Sequence, residues 1–199
     1  MAPLHFPLPH TVICRGRRYR LRPAFDRVLK VIALWKEEEL TESDKLELSL
    51  RSLVRGHVHG DTGAKVELLN TVFDTLIDGG QSTRENSTPA FDFIQDAGYI
   101  YSSFLMDYGL DLYEEQGRLH WWKFLQLFRG LSDRTKIVQV MQIRSRPMPE
   151  PTKYNAEERK QLARLKAEYA LHFTEAERER HFATGLKHLA ATLEGMAKE

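Results

Sequence analysis

The sequence predicts a mainly α-helical protein: a small N-terminal β-hairpin packed on a multi-helix core, followed by a C-terminal two-helix appendage. Three observations predict this fold. Apolar residues recur at helical spacing through most of the chain, a short alternating segment surrounds a glycine turn near the start, and the apolar pattern narrows after a proline cluster. The 199 residues are 42% hydrophobic and 29% charged, a composition that excludes wholesale disorder.

The hairpin is predicted over residues 11–22, where apolar and polar residues alternate on either side of Arg15-Gly16. Two strands alone are barely stable. The hairpin must therefore pack on the next element, a helix from about Pro23 with apolar residues at helical spacing. Cys14 is the only cysteine of the chain, which excludes an intramolecular disulfide. We expect Cys14 to be packed rather than reactive.

Five further helices are predicted in the core, over residues 43–54, 65–77, 91–108 and 119–131, and from Ser132 to about 144. Ser132 is expected to cap the last of these helices at its N-terminus, and Gly109 is expected to end the helix over 91–108. The helix over 119–131 has only a narrow hydrophilic stripe, so we expect it to be the central element. That stripe consists of His120, Lys123, Gln126 and Arg129.

Composition divides the chain into four parts: a flexible N-terminal segment over residues 1–11, a helical core domain with the hairpin over 12–146, a proline-rich spacer over 147–153, and a helical appendage over 154–199. Capping-box patterns follow the spacer, one formed by Asn155 and Glu158 and the other by Thr174 and Glu177. They predict two helices in the appendage.

Both predicted C-terminal helices carry a narrow apolar seam, which needs a matching helix to cover it. These seams are candidate partner-binding surfaces. They can pair with each other as a helical hairpin, with a copy of the chain, or with a helix of another protein. The first consists of Leu162, Leu165 and Tyr169; the second, called here the C-terminal seam, consists of Phe182, Leu186, Leu189, Leu193 and Met196.

The sequence carries no legible catalytic motif. It lacks the glycine-rich phosphate-binding patterns, the G-x-S-x-G nucleophile motif and the H-E-x-x-H zinc motif. We therefore expect a protein that is not an enzyme and has no cofactor. Asp92 is expected to cap a helix rather than to form an acid-base pair with Asp96. A weak His-x-His pattern, His57 and His59 beside Asp61, leaves a metal protein or unrecognised enzyme as one alternative.

Charge is segregated near the N-terminus. Residues 1–30 carry a net charge of +6 and residues 31–50 carry −4, whereas the whole chain carries +1. The near-neutral total argues against a surface tuned as a whole to nucleic acid or to an anionic membrane. A local alternative is a nucleic-acid-binding hairpin, with Tyr19 stacking on bases and arginines contacting phosphates. Its candidate basic patch consists of Arg15, Arg18, Arg20 and Arg22.

No apolar run approaches the roughly 20 residues that span a bilayer. The first ten residues contain three prolines and no positively charged region before an apolar stretch, unlike a secretory signal. We therefore expect no membrane partner and a cytoplasmic location.

Three stretches, residues 13–31, 91–112 and 119–144, resemble in that order the bacteriophage gene-product-fifteen family of tailed-phage proteins. The most specific part is an acidic-aromatic run followed by two adjacent tryptophans. The resemblance covers about residues 12–170 and leaves the last predicted helix outside it. Its motif residues, which we expect in the core, are Asp92, Phe93, Asp96, Tyr101, Trp121, Trp122 and Phe124.

This resemblance implies a non-enzymatic protein of siphophages and prophages that acts as a tail assembly chaperone. Such a chaperone binds the tape measure protein, keeps it soluble and helps the tail-tube protein to polymerise around it. The resemblance also implies action in the host bacterial cytoplasm and absence from the mature virion. Self-association along the client is expected because many weak contacts on one chain give high avidity. A long helical client suits repeated weak apolar contacts. The seam residues are the candidates for them, because adjacent Trp121 and Trp122 point about 100° apart on a helix and at least one belongs to the core.

Overall fold

The computed structural model describes residues 5–78 and 90–172. This part of the chain contains one two-stranded antiparallel sheet and seven α-helices, so the predicted mainly α class is confirmed. The strands are β1 (Thr11–Cys14) and β2 (Arg17–Arg20). The helices are α1 (Phe25–Lys36), α2 (Glu42–Leu53), α3 (Thr62–Phe73), α4 (Ala97–Tyr108), α5 (Trp121–Arg129), α6 (Lys136–Ser145) and α7 (Ala156–Glu168).

The predicted hairpin is confirmed. Its turn residues Arg15 and Gly16 have φ values of 49° and 74°, the positive values that a tight two-residue turn requires. Val12 pairs with Tyr19, and Val12 and Cys14 are buried while Ile13 faces solvent. The hairpin thus packs one face on the helices.

The core is built around a stack of three phenylalanines. Phe124 of α5 lies between Phe25 of α1, at 4.9 Å between ring centroids, and Phe104 of α4, at 5.1 Å, with nearly parallel rings in both pairs. Helix α5 is therefore the central element, as predicted. The expected hydrophilic stripe is wrong at His120. His120 is buried at the N-cap position, where its ring accepts a hydrogen bond from the Trp122 N–H.

Helix α4 begins at Ala97, six residues later than predicted. The preceding residues form a turn instead, because the Asp92 carboxylate accepts hydrogen bonds from the N–H groups of Ile94 (2.8 Å) and Gln95 (2.9 Å). Asp92 thus caps this turn and not the helix, which has Asp96 at its N-cap position. The predicted end is confirmed, since Gly109 has a φ of 62° and closes the helix.

Two other predicted caps do not make the expected capping hydrogen bonds. Ser132 does not cap α6, which begins at Lys136. Instead, the N–H and hydroxyl groups of Ser132 donate hydrogen bonds to the Asp107 carboxylate, at 2.7 and 3.0 Å. The pattern of Asn155 and Glu158 marks the start of a helix, α7, as predicted, but the two side chains form no capping box. The Asn155 side chain bonds to residues 150 and 152 and Glu158 pairs with Arg146. The second pattern, Thr174 and Glu177, lies outside the described residues.

Helix α3 begins three residues before its predicted start because Asp61 caps it, accepting from the Ala64 N–H at 2.7 Å. The helix continues into a π-helical turn, Asp74–Asp78. Residues 147–152 of the spacer contain no helix or strand, and after them α7 returns to pack on α6.

Replacing the central ring of the phenylalanine stack should destabilise the whole fold. Phe124→Ala removes a fully buried ring, so we expect the free energy of unfolding in urea to fall by about 3–5 kcal/mol. Lys123→Ala on the exposed side of the same helix is the control and should change it by about 0.5 kcal/mol or less. Equal effects of the two changes would contradict the central place of Phe124.

Candidate functional site

The acidic and aromatic motif residues around α4 come together at a buried ion pair. The Arg144 guanidinium at the end of α6 donates two parallel hydrogen bonds to the Asp96 carboxylate, at 2.6 and 2.8 Å. The Asp96 side chain is 2% exposed and that of Arg144 is 11% exposed. A bidentate pair of this kind is strong and directional, so it fixes the N-terminal end of α4 against the C-terminal end of α6.

Arg144 also binds two other parts of the chain. It donates to the Tyr169 carbonyl at the end of α7 (2.6 Å) and to the Ala90 carbonyl (3.1 Å), and its own carbonyl accepts from Lys166 (2.8 Å). Arg144 therefore joins α4, α6, α7 and the segment entering α4. The sequence analysis missed this residue, because nothing in the sequence links it to an aspartate 48 positions away.

The other polar residues of the motif hold neighbouring segments in the same way. Asp92 pairs with Lys36 at the end of α1. Burial alone would raise the pKa of Asp92, but hydrogen bonds from Lys36 and from the backbone N–H groups of Gln95 and Ile94 outweigh burial and lower it. The Gln95 amide exchanges two hydrogen bonds with the backbone of His172, at 2.6 and 2.8 Å. The motif is thus a set of tethers between helices.

The aromatic residues of the motif mostly belong to the core. Trp121 is buried between Phe93 and Phe124, and its Nε1 has no hydrogen-bond partner among the described residues. Trp122 is half-buried and donates to the Leu76 carbonyl at 2.8 Å. Tyr101 is half-buried and bonds to Asp111. At least one tryptophan lies in the core, as expected from their adjacency.

An open cavity of about 230 Å³ lies between α1, α4 and residues 110–116. The charged residue lining it, Asp26, accepts a hydrogen bond from the Gly117 N–H at 2.8 Å. The cavity therefore offers an apolar surface rather than a reactive group. Its apolar lining includes Phe25, Leu29, Phe93, Tyr101, Leu112 and Tyr113.

The candidate partner-binding residues of α7 differ in exposure. Leu162 is buried and Leu165 is 38% exposed. Tyr169 is half-buried, with its hydroxyl accepting a hydrogen bond from Lys136 at 2.7 Å. Of the three, Leu165 has the most surface for a partner. The C-terminal seam lies outside the described residues.

The arginines of the hairpin do not form one strip. Arg18 and Arg20 share the solvent-exposed face with Ile13. Arg15 at the turn pairs with Glu67 of α3 at 2.6 Å, and Arg22 is half-buried with its guanidinium at 3.5 Å from the Arg51 carbonyl. The part of the candidate basic patch that projects together is therefore Arg18 with Arg20.

The His57, His59 and Asp61 alternative does not assemble as a metal site. The two histidine rings lie 5.3 Å apart, but the Asp61 carboxylate is bonded to the N-terminus of α3. Within residues 5–78 and 90–172 no group of three or more His, Cys, Asp or Glu side chains has a metal-binding arrangement. Over the same ranges, no helix has the length and apolar character needed to cross a bilayer.

His120 connects the N-terminal segment to the core. Its Nδ1 accepts the Trp122 N–H (3.0 Å), so its Nε2 carries the proton and donates to the Pro9 carbonyl (3.1 Å). Burial lowers the pKa of His120, which keeps the ring neutral in this arrangement. Sequence analysis placed this residue on a hydrophilic stripe and missed both bonds.

Comparison with known proteins identifies the family. A family model described as Bacteriophage Gp15 protein matches residues 4–171. The chain therefore belongs to this bacteriophage family, which confirms the resemblance drawn from the motif residues. No curated protein and no solved structure matches the chain. The match ends beside His172, so the C-terminal seam lies beyond it.

Breaking the buried ion pair should cost far more than breaking an exposed one. Arg144→Met leaves the Asp96 carboxylate buried without its partner, and we expect the free energy of unfolding to fall by about 3–5 kcal/mol. Arg146 lies two residues after Arg144 and forms an exposed pair with Glu158. Arg146→Met, which removes that pair, should cost about 1 kcal/mol or less. Urea denaturation of both variants measures the difference, and similar losses would refute the role given to Arg144.

The burial of neutral His120 predicts a pH dependence of stability. Because the folded pKa lies below the ordinary 6.5, the unfolded chain takes up the proton first. The free energy of unfolding is therefore highest above that value and decreases as the pH falls below it. In His120→Asn the cap acceptor is kept and the titration removed, so the decrease between about pH 8 and about pH 5 should be smaller. Identical pH profiles would contradict this assignment.

Proposed function

We propose that this phage protein is a tail assembly chaperone, which binds the tape measure protein, keeps it soluble and assists the polymerisation of the tail tube around it. The single observation that carries the proposal is the family match over residues 4–171, with the function that the resemblance implies. In this proposal the protein is not an enzyme, needs no cofactor, acts in the host cytoplasm and is left out of the mature virion.

The proposed client-binding surface is the C-terminal seam, with Leu165 of α7 as a neighbouring contact. An amphipathic helix recognises a helical client through apolar residues spaced three and four apart, which is the spacing of the seam. The described chain ends at His172, held by Gln95 at the start of α4.

Avidity explains how such a surface can both hold and release its client. A seam of five apolar residues gives a modest contact, but several copies bound along one long chain, also touching each other, bind it tightly. Each copy can still be displaced one at a time by an arriving tail-tube subunit. Self-association along the client is therefore part of the proposal.

Co-expression with a tape measure fragment tests the function. We expect the fragment to become soluble and to co-elute with several copies of the full chain in size-exclusion chromatography with light scattering. Leu186→Asp/Leu193→Asp should abolish co-elution, because it places charge in the seam. Thr184→Asp/Ala191→Asp adds the same charge on the opposite side of the predicted helix and should leave it intact.

Each other outcome has a definite meaning. Co-elution that survives Leu186→Asp/Leu193→Asp would keep the function and move the site to the core helices. A fragment that stays insoluble with the intact chain would overturn the proposal. The nucleic-acid alternative, favoured by the shared exposure of Arg18 and Arg20, instead requires DNA or RNA binding that weakens steeply with salt, unlike the apolar client contact.

A further inference from the structure

The outward side of α4 is an exposed surface without charge. This surface, called here the α4 face, consists of Gly98, Ser102, Leu105, Met106 and Gly109, all of them exposed. Leu105 is 46% exposed and Met106 is 61% exposed. The charged residue of α4, Asp107, points to Ser132 and bonds to it. In a chain with 29% charged residues, a continuous uncharged helix face suits contact with another apolar element.

Gly98 shows that no described residue covers the N-terminal end of this face. A Cβ built at Gly98 would meet no atom within 4 Å, and its backbone does not have the positive φ that favours glycine. Glycine within a helix costs about 1 kcal/mol relative to alanine. Together with Ser102, it leaves room for another backbone to approach α4 closely.

The chain leaves the described structure at the head of this face. Its last described residue, His172, is bonded to Gln95, and Tyr169 packs edge-to-face on Tyr99 at 6.2 Å between ring centroids. Tyr99, Ser102 and Met106 follow one another at spacings of three and four, so they lie along one line of α4. Gln95 lies in the turn just before the helix begins. Whatever follows His172 therefore begins at one end of the α4 face.

The segment that follows matches the face in length and character. Residues 182–196 contain the C-terminal seam and only two charged residues, Lys187 and Glu194. As a helix this segment would be about 22 Å long, a little longer than the roughly 18 Å of the 12-residue α4. The intervening residues 173–181 reach up to about 30 Å, which suffices for either direction along α4.

We propose that residues 182–196 dock as a helix on the α4 face of the same chain, with the seam against Gly98, Ser102, Leu105 and Met106. This inference stands without the proposed function. If both hold, the seam is covered in the free protein and the client must displace α4 from it.

The accessibility of a thiol on α4 tests the docking in the full chain. In the variant Met106→Cys, the reaction of the introduced thiol with N-ethylmaleimide is followed by peptide mass spectrometry. Adding Leu186→Asp/Leu193→Asp should speed this reaction at least about tenfold, because the docked state no longer protects the thiol. Thr184→Asp/Ala191→Asp should leave the rate unchanged. Leu48→Cys, at an exposed position of α2, should react equally fast in every background.

Two controls keep the result decisive. Buried Cys14 stays in place and reports unfolding, because a variant that loses its fold exposes this thiol as well. If Met106→Cys unfolds by this criterion, Ser102→Cys on the same face takes its place. Equal reaction rates with and without the seam changes would overturn the proposal. Protection that disappears on dilution would also overturn it, in favour of the seam of a second copy. No client is present, so failure here is distinct from failure of the chaperone function.

Discussion

The arrangement of the helices depends on the Asp96–Arg144 ion pair. Two buried opposite charges are not by themselves a large gain in stability, because removing both from water costs about as much as their attraction returns. The contribution of the pair to the fold is the fixed direction of its hydrogen bonds. The guanidinium has further N–H groups to satisfy, and it satisfies them on the carbonyls of Tyr169 and Ala90. A single side chain is thus bonded to α4, to α7 and to the segment entering α4 at the point where α6 meets them.

This constraint changes how the family signature is understood. Asp92, Gln95 and Asp96 form a dense polar cluster of the kind that often marks a binding or catalytic site. Here each is engaged by another part of the chain, namely Lys36, His172 and Arg144. The aromatic members pack between them in the core. The motif that identifies the family therefore holds the fold together, and the partner contacts that we propose lie on surfaces outside the motif.

Those surfaces are the ones with exposed apolar side chains. Leu105 and Met106 on α4, Leu165 on α7 and Ile13 on the hairpin face solvent, and the C-terminal seam begins beyond the last described residue. Of these, the α4 face lies next to His172, where the described part of the chain ends. In the function that we propose, apolar surface presented from a rigid core would help the protein to hold and release a long client.

Much of the fold follows from local sequence. The mainly α class, the hairpin with its Arg15-Gly16 turn, the existence of each core helix and the end of α4 at Gly109 were all predictable, because periodicity and turn chemistry act within a few residues. Helix starts were less predictable. Asp92 and Ser132 resemble helix caps in sequence, yet Asp92 caps a local turn through Gln95, and Ser132 bonds to the distant Asp107. Likewise His120 looks like a surface residue until Pro9 approaches it.

For the candidate surfaces too, some features follow from the sequence and others only from the tertiary structure. The sequence by itself determined the apolar seams, the family and the pairing of acidic with aromatic residues, since these are patterns of residue type along the chain. Only the tertiary structure decided that Leu162 is buried while Leu165 is exposed, that Arg15 is occupied by Glu67, and that α4 keeps an uncharged face. The physical reason is that exposure and charge pairing depend on which distant residue arrives beside a side chain, and a one-dimensional pattern does not contain that information.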